Sequence, residues 1–302
     1  LVHDEIATGH FQRMMALMAA FSAIVSGVEA YLQHARGNFS NRWMWTPVLL
    51  TPPSVIAAGE AVISERSART VLPAVAGASF VDGLIGFVLH LRGVHRMPGG
   101  FGLGRYNLVM GPPLFAPLLM CIVGALGLYA AALRPETVGP RQALLHLGRH
   151  PRPSGGLVRR LSAEIATGRF QRGMAVTAAG FAVLAAGEAY FEHLRGSYND
   201  KLMWTPILVT PPMVGAAIGA AVSERMATRV LPAASAATFL DGVLGFGLHL
   251  RGIHRMPGGF HNLRFTATLG PPLFAPLLFS AVGLLGMVAA MMRRGGSADG
   301  DA

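Results

Sequence analysis

An α-helix needs about 20 consecutive apolar residues to cross the hydrocarbon core of a bilayer, and this chain has eight runs of about that length. They fall at roughly 14–35, 46–64, 71–91 and 108–133, and again at 173–194, 205–223, 230–250 and 267–292. Strands long enough to span would alternate apolar and polar residues in period two, and these runs do not. Helices then satisfy every backbone group within the segment, as lipid requires. The expected fold is all-α, a polytopic integral membrane protein with about eight crossings.

Composition agrees. Only 13% of the 302 residues are charged, where a soluble domain has about 25%. The 25 basic residues are 24 arginines and Lys201. A pI near 11.1 would point to nucleic acid in a soluble protein. Here the arginines stand at the ends of the apolar runs, where they mark bilayer interfaces, so no nucleic-acid partner is expected. Cys121 is the sole cysteine, which excludes an internal disulfide and a thiolate zinc site and leaves a small buried side chain. Leu1 to Gln12 include acids and lack a basic stretch before an apolar one, so no cleavable signal peptide is expected.

The eight runs form two sets of four. Residues 5–133 align without a gap on 164–292 at a constant offset of 159, with 73 of 129 pairs identical. Glu-Ile-Ala-Thr-Gly at 5–9, Met-Trp-Thr-Pro at 44–47, His-Arg-Met-Pro-Gly-Gly-Phe at 95–101 and Gly-Pro-Pro-Leu-Phe-Ala-Pro at 111–117 all recur. Such self-similarity marks a tandem duplication. The reading is a first four-helix unit at 1–133, a linker rich in Arg, Gly and Pro at 134–163, a second unit at 164–294 and a tail at 295–302. Parallel halves related by a pseudo-two-fold axis along the membrane normal follow from an even number of crossings per unit. A nested two-helix hairpin is expected within each unit. Its helices 1 and 3 both close in His-x-Arg-Gly, at His34–Gly37 and His90–Gly93, and at His193–Gly196 and His249–Gly252. The helix that follows each holds a Pro-Pro pair.

Both termini share one side, face A, with the 134–163 segment. Face A carries 15 of the basic residues and face B 10, which places face A in the cytoplasm, in a bacterial inner membrane. Face B holds seven of the eleven histidines and all three tryptophans.

The acids inside the apolar runs include Glu29, Glu60, Asp82, Glu188 and Asp241. A carboxylate at the bilayer centre costs about 2.5–3.5 kcal/mol on insertion scales, so such residues face a partner or a polar cavity. Asp82 and Asp241, followed by Gly-x-x-Gly-Phe, are candidates for a proton or ion pathway. Glu60 has Gly219 as its counterpart and is discounted. A buried acid can also stay protonated and hydrogen-bonded, and Glu29 can pair with Arg36 on its own helical face.

In His-x-Arg-Gly, glycine suits a left-handed helix cap and arginine snorkels to the headgroups, but neither explains the histidine. If helices 1 and 3 face one another, His34 meets His90 near face B, and His193 meets His249. Such pairs could hold a b-type haem or a divalent metal, with Glu29 and His95, or Glu188 and His254, as further metal ligands. Glu29 and His34 are five residues apart, about 140° around a helix, and so do not share a face.

Three functions follow. The first is a cofactor-binding redox or electron-transfer membrane subunit. The second is a transporter of protons, cations or a small solute through Asp82 and Asp241, where proline-broken helices free carbonyls for ions. The third is a structural subunit of a membrane complex, docking an acidic partner or anionic headgroups on the His/Arg-rich face. No Walker loop, dinucleotide fingerprint, His-Glu-x-x-His or nucleophile elbow supports ATP-driven or hydrolytic chemistry.

Overall fold

The computed structural model describes residues 10–132 and 168–292. The expected linker at 134–163 and the tail at 295–302 lie outside the described residues. Within them the chain is helical, with no strand. In the first copy the helices are α1 (His10–Arg36), α2 (Thr46–Ile63), the short α3 (Glu65–Arg69), α4 (Val71–Arg96), α5 (Gly104–Met110) and α6 (Leu118–Ala132). In the second copy they are α7 (Arg169–Arg195), α8 (Thr205–Val222), α9 (Leu231–Arg255), α10 (Leu263–Leu269) and α11 (Leu277–Met292). Six helical stretches, those of α1, α2, α4, α7, α8 and α9, are long and apolar enough to cross a membrane. This is a multi-pass membrane protein.

The fourth run of each copy departs from expectation. In place of one helix over 108–133 there is the seven-residue α5, a non-helical bridge at 111–117, and the 15-residue α6. The run 267–292 breaks in the same way between α10 and α11. The cause is proline density. Pro112, Pro113 and Pro117 withhold three N–H groups from one stretch of six residues, and each also biases its predecessor away from the helical region. Pro52-Pro53 and Pro211-Pro212 are tolerated inside the continuous α2 and α8. In α2 the hydroxyls of Thr51 and Ser54 donate to the carbonyls of Pro47 and Leu50, on either side of the two carbonyls that the prolines leave free.

A second departure concerns His-x-Arg-Gly. α1 and α7 end at it, but α4 and α9 run past it to Arg96 and Arg255. Gly93 and Gly252 therefore cap nothing. A Cβ at either would meet Pro112 or Pro271 of the broken run at 2.9 and 3.1 Å, so glycine there lets the bridge approach. After α1 and α7 the left-handed residues are Asn38–Phe39 and Ser197–Tyr198, not Gly37 or Gly196. The Pro-Gly-Gly turns do use positive φ, with Gly99 at 78° and Gly258 at 87°.

Each copy forms a ring in which α1 touches α2 and α6, and α4 touches the same two; α7, α8, α9 and α11 repeat this. α1 and α4 thus stand across the bundle from each other. The copies meet through α5 against α7 and α10 against α1. They also share a buried cluster of small residues that includes Ala16 and Ala19 of α1 and Ala175, Ala178 and Ala182 of α7. Without a hydrophobic drive between helices in lipid, close approach of small residues supplies the packing.

Glycine contacts give a direct test. A Cβ at Gly83 or Gly242 would lie 2.7 or 2.5 Å from the backbone nitrogen of Cys121 or Ser280, whereas nothing lies within 4 Å of one at Gly59 or Gly247. Overpacking costs about 1–3 kcal/mol. Gly83→Ala and Gly242→Ala should lower the unfolding temperature in detergent, and Gly59→Ala and Gly247→Ala should not.

Candidate functional site

The break leaves N–H and C=O groups without helical partners inside the membrane, and the opposite copy supplies them. Phe115 N–H, at the entrance to α6, donates to Glu188 Oε2 of α7 at 2.6 Å. Phe274 N–H, at the entrance to α11, donates to Glu29 Oε2 of α1 at 2.7 Å. At the other side of each break, Arg195 Nε and Nη2 donate to the carbonyls of Val109 and Gly111 at 2.7 and 2.8 Å. Arg36 does the same to Thr268 at 2.9 Å and to Gly270. A carboxylate thus meets the positive start of the helix after each break and a guanidinium the negative end of the helix before it, each the sign that the helix dipole favours. Glu29 and Arg36 share a helical face, as expected, but both turn to the second copy's backbone.

The two clamps differ in one place. Gln33 donates from Nε2 to Glu29 Oε1, while its counterpart Glu192 takes Arg195 at 3.2 Å. Glu188 Oε1 is left buried without a hydrogen-bond partner.

The histidines face inward, within their own copy. His34 and His90 reach across the bundle from α1 and α4, with ring centroids 6.3 Å apart. His193 and His249 stand 6.4 Å apart. The Nδ1 atoms of His34 and His193 bond to the carbonyls of Met44 and Met203 at 2.7 and 2.6 Å. Those of His90 and His249 bond to Pro113 O and Pro272 O, both at 2.5 Å. A carbonyl only accepts, so each Nδ1 carries a proton, and in the neutral ring Nε2 is the atom with the free lone pair.

No motif in the chain marks the aromatic stack beside each histidine pair. Phe39 stacks on Trp45 at 3.9 Å and meets His34 edge-on at 6.1 Å; Tyr198 and Trp204 repeat the stack at 4.1 Å, with His193 at 5.9 Å from Tyr198. Phe39 and Tyr198 sit at φ of 47° and 48°. Left-handed backbone at a bulky residue costs roughly 1–3 kcal/mol and concentrates at functional sites. Here it turns each ring back over the histidine.

Deeper in the bundle, Asp82 lies near Thr46 and Asp241 near Thr205. Each threonine lies two residues beyond the methionine whose carbonyl holds a histidine. Below Asp82, Ser54 and Ser79 are joined at 2.9 Å; in the second copy Ser235 meets Met213 instead. Glu60 accepts from Ser67 near the α2–α3 turn. The remaining expected ligands are not at the imidazole pairs. Glu29 and Glu188 are occupied in the clamps, and His95 and His254 pack on Phe101 and Phe260 at 5.1 and 4.9 Å. Among the described residues no group of three or more His, Cys, Asp or Glu side chains gathers to hold a metal ion.

The chain matches no protein-family model, no curated protein and no solved structure.

Because each clamp crosses between copies, its loss should be felt in the copy that was not altered. Glu188→Ala strands the Phe115 N–H, at a cost of about 1–3 kcal/mol; Glu188→Gln, which keeps an acceptor, should cost less in thermal unfolding. Arg36→Met should raise amide hydrogen exchange at 268–274 and leave 109–115 protected. Equal loosening of both segments would argue against separate clamps.

Proposed function

We propose that this protein is a membrane redox subunit with one bis-imidazole metal site in each copy. His34 and His90 are the ligands of one site, His193 and His249 those of the other. The observation that carries this reading is the common state of the four rings. Every Nδ1 is tied to a backbone carbonyl, the outer-shell bond that orients a metal-binding histidine and leaves Nε2 to the metal. The spacing agrees. Two imidazoles this close could both reach a single metal ion. The observed separations are 6.3 and 6.4 Å.

Two histidines alone suit haem iron or a bare copper ion better than an ion needing four protein ligands. The bound metal supplies one-electron transfer. The chain's own part is to hold the rings, keep Nδ1 protonated and cover the site on face B with the Phe39–Trp45 and Tyr198–Trp204 stacks. Face A, richer in basic residues, lies on the cytoplasmic side of a bacterial inner membrane in this reading.

The Asp82–Thr46 and Asp241–Thr205 pairs, repeated in both copies, support a second function, proton or cation transfer along the bundle. Asp82 and Asp241 would be the groups that carry the proton or ion.

A dithionite-reduced minus air-oxidised spectrum, with metal analysis of the same detergent-purified sample, separates the two. The redox reading expects haem bands or copper at two per chain. His90→Ala or His249→Ala should each remove one, and together both. A featureless spectrum with no bound metal rejects it. Proton transfer expects pH-driven flux in proteoliposomes that Asp82→Asn with Asp241→Asn abolishes while the unfolding temperature is kept; undiminished flux would exclude the aspartates.

A further inference from the structure

The two copies differ in charge at the face B rim. In the first copy a cavity of about 290 Å³ is lined by Asn41, Arg42, Trp43, Arg92 and Arg96, with Leu89 at its wall. Three arginines line it, and no acidic residue does. None of the three arginines forms a salt bridge with a described residue. The second copy has Asp200, Lys201 and Leu202 where the first has Asn41, Arg42 and Trp43. The substitution is local, since Asn41 Oδ1 and Asp200 Oδ1 cap the same turn by accepting from the backbone N–H of Trp43 and Leu202, at 3.1 and 2.9 Å. A carboxylate therefore stands at the equivalent place in the second copy, the forked cation becomes a point charge, and the indole is gone.

We propose that this crevice binds the phosphate of one anionic phospholipid headgroup per chain, and that its counterpart in the second copy does not. The level selects a lipid. The crevice sits where α1 and α4 leave the membrane, beside the exposed rings of Trp43 and Trp45, and tryptophan belts mark the headgroup level. Arginine's planar fork suits phosphate oxygens. Leu89, directly below in α4, continues the cavity toward the hydrocarbon. Clusters of basic residues between spanning helices are a recurrent means of holding anionic headgroups.

Native mass spectrometry of the intact protein, titrated with phosphatidylglycerol or phosphatidylcholine, tests this. One phosphatidylglycerol should be retained per chain in preference to phosphatidylcholine. A surface arginine contributes about 5-fold in affinity for an anionic headgroup, so Arg92→Ala with Arg96→Ala should weaken retention about 30-fold. Asn41→Asp keeps the cap and imports the second copy's charge; it should weaken binding about 5-fold, which guards against misfolding as the cause. Arg251→Ala with Arg255→Ala should leave retention unchanged. Equal retention of the two lipids, or equal loss in both arginine pairs, would overturn the proposal. Displacement by millimolar inorganic phosphate would show a soluble anion site and overturn it as well.

Discussion

A helix interrupted inside a bilayer must find partners for the backbone groups that it frees, because lipid offers none. That requirement organises this molecule. The bridge at 111–117 is held at alternate residues: Gly111 O by Arg195, Pro113 O by His90 and Phe115 N–H by Glu188. The bridge at 270–276 is held by Arg36, His249 and Glu29 in the same order. Two of the three partners come from the other copy and one from within. Each bridge is therefore both the seam between copies and the wall against which an imidazole is set.

This arrangement explains why the intramembrane acids and histidines, which read alike in the sequence, do different work. Glu29 and His34 share α1 but lie on different faces. The first reaches out to Phe274, and the second reaches in to Met44 and His90. A histidine at this place in an apolar bundle needs a carbonyl that no helix is using, and the break provides one at Pro113 and Pro272. Bridge and imidazole are thus two halves of one feature, and a shift in a clamp is a shift in the carbonyl that orients the ring.

Much of the frame was legible before the structure. Six helices lie within a few residues of the apolar runs, because run length is set by bilayer thickness alone. Equal distance from one interface put His34 and His90 at the same level, and their approach depended on helices 1 and 3 facing one another. The break did not, because Pro52-Pro53 and Pro112-Pro113 look alike in sequence. What separates them is Pro117, one turn on, and the flanking hydroxyls that serve only the first pair. The role of Glu29 was out of reach, since its partner is a backbone N–H 245 residues away, and hydrophobic patterns carry no signal for a donor without a side chain. Gly93 was misread as a cap for a related reason. Its value lies in letting Pro112 approach, which only tertiary contact reveals.

The crossed clamps also bear on how the chain is made. Synthesis delivers α5 and α6 to the membrane before α7 exists, so the first bridge waits with Gly111 O and Phe115 N–H unmatched until Glu188 and Arg195 arrive. The debt on α1 lasts longer: Glu29 and Arg36 are inserted first and matched last, by the final pair of helices. The first copy is therefore incomplete as an insertion intermediate, and the order of translation makes closure of the second bridge the step that commits both halves.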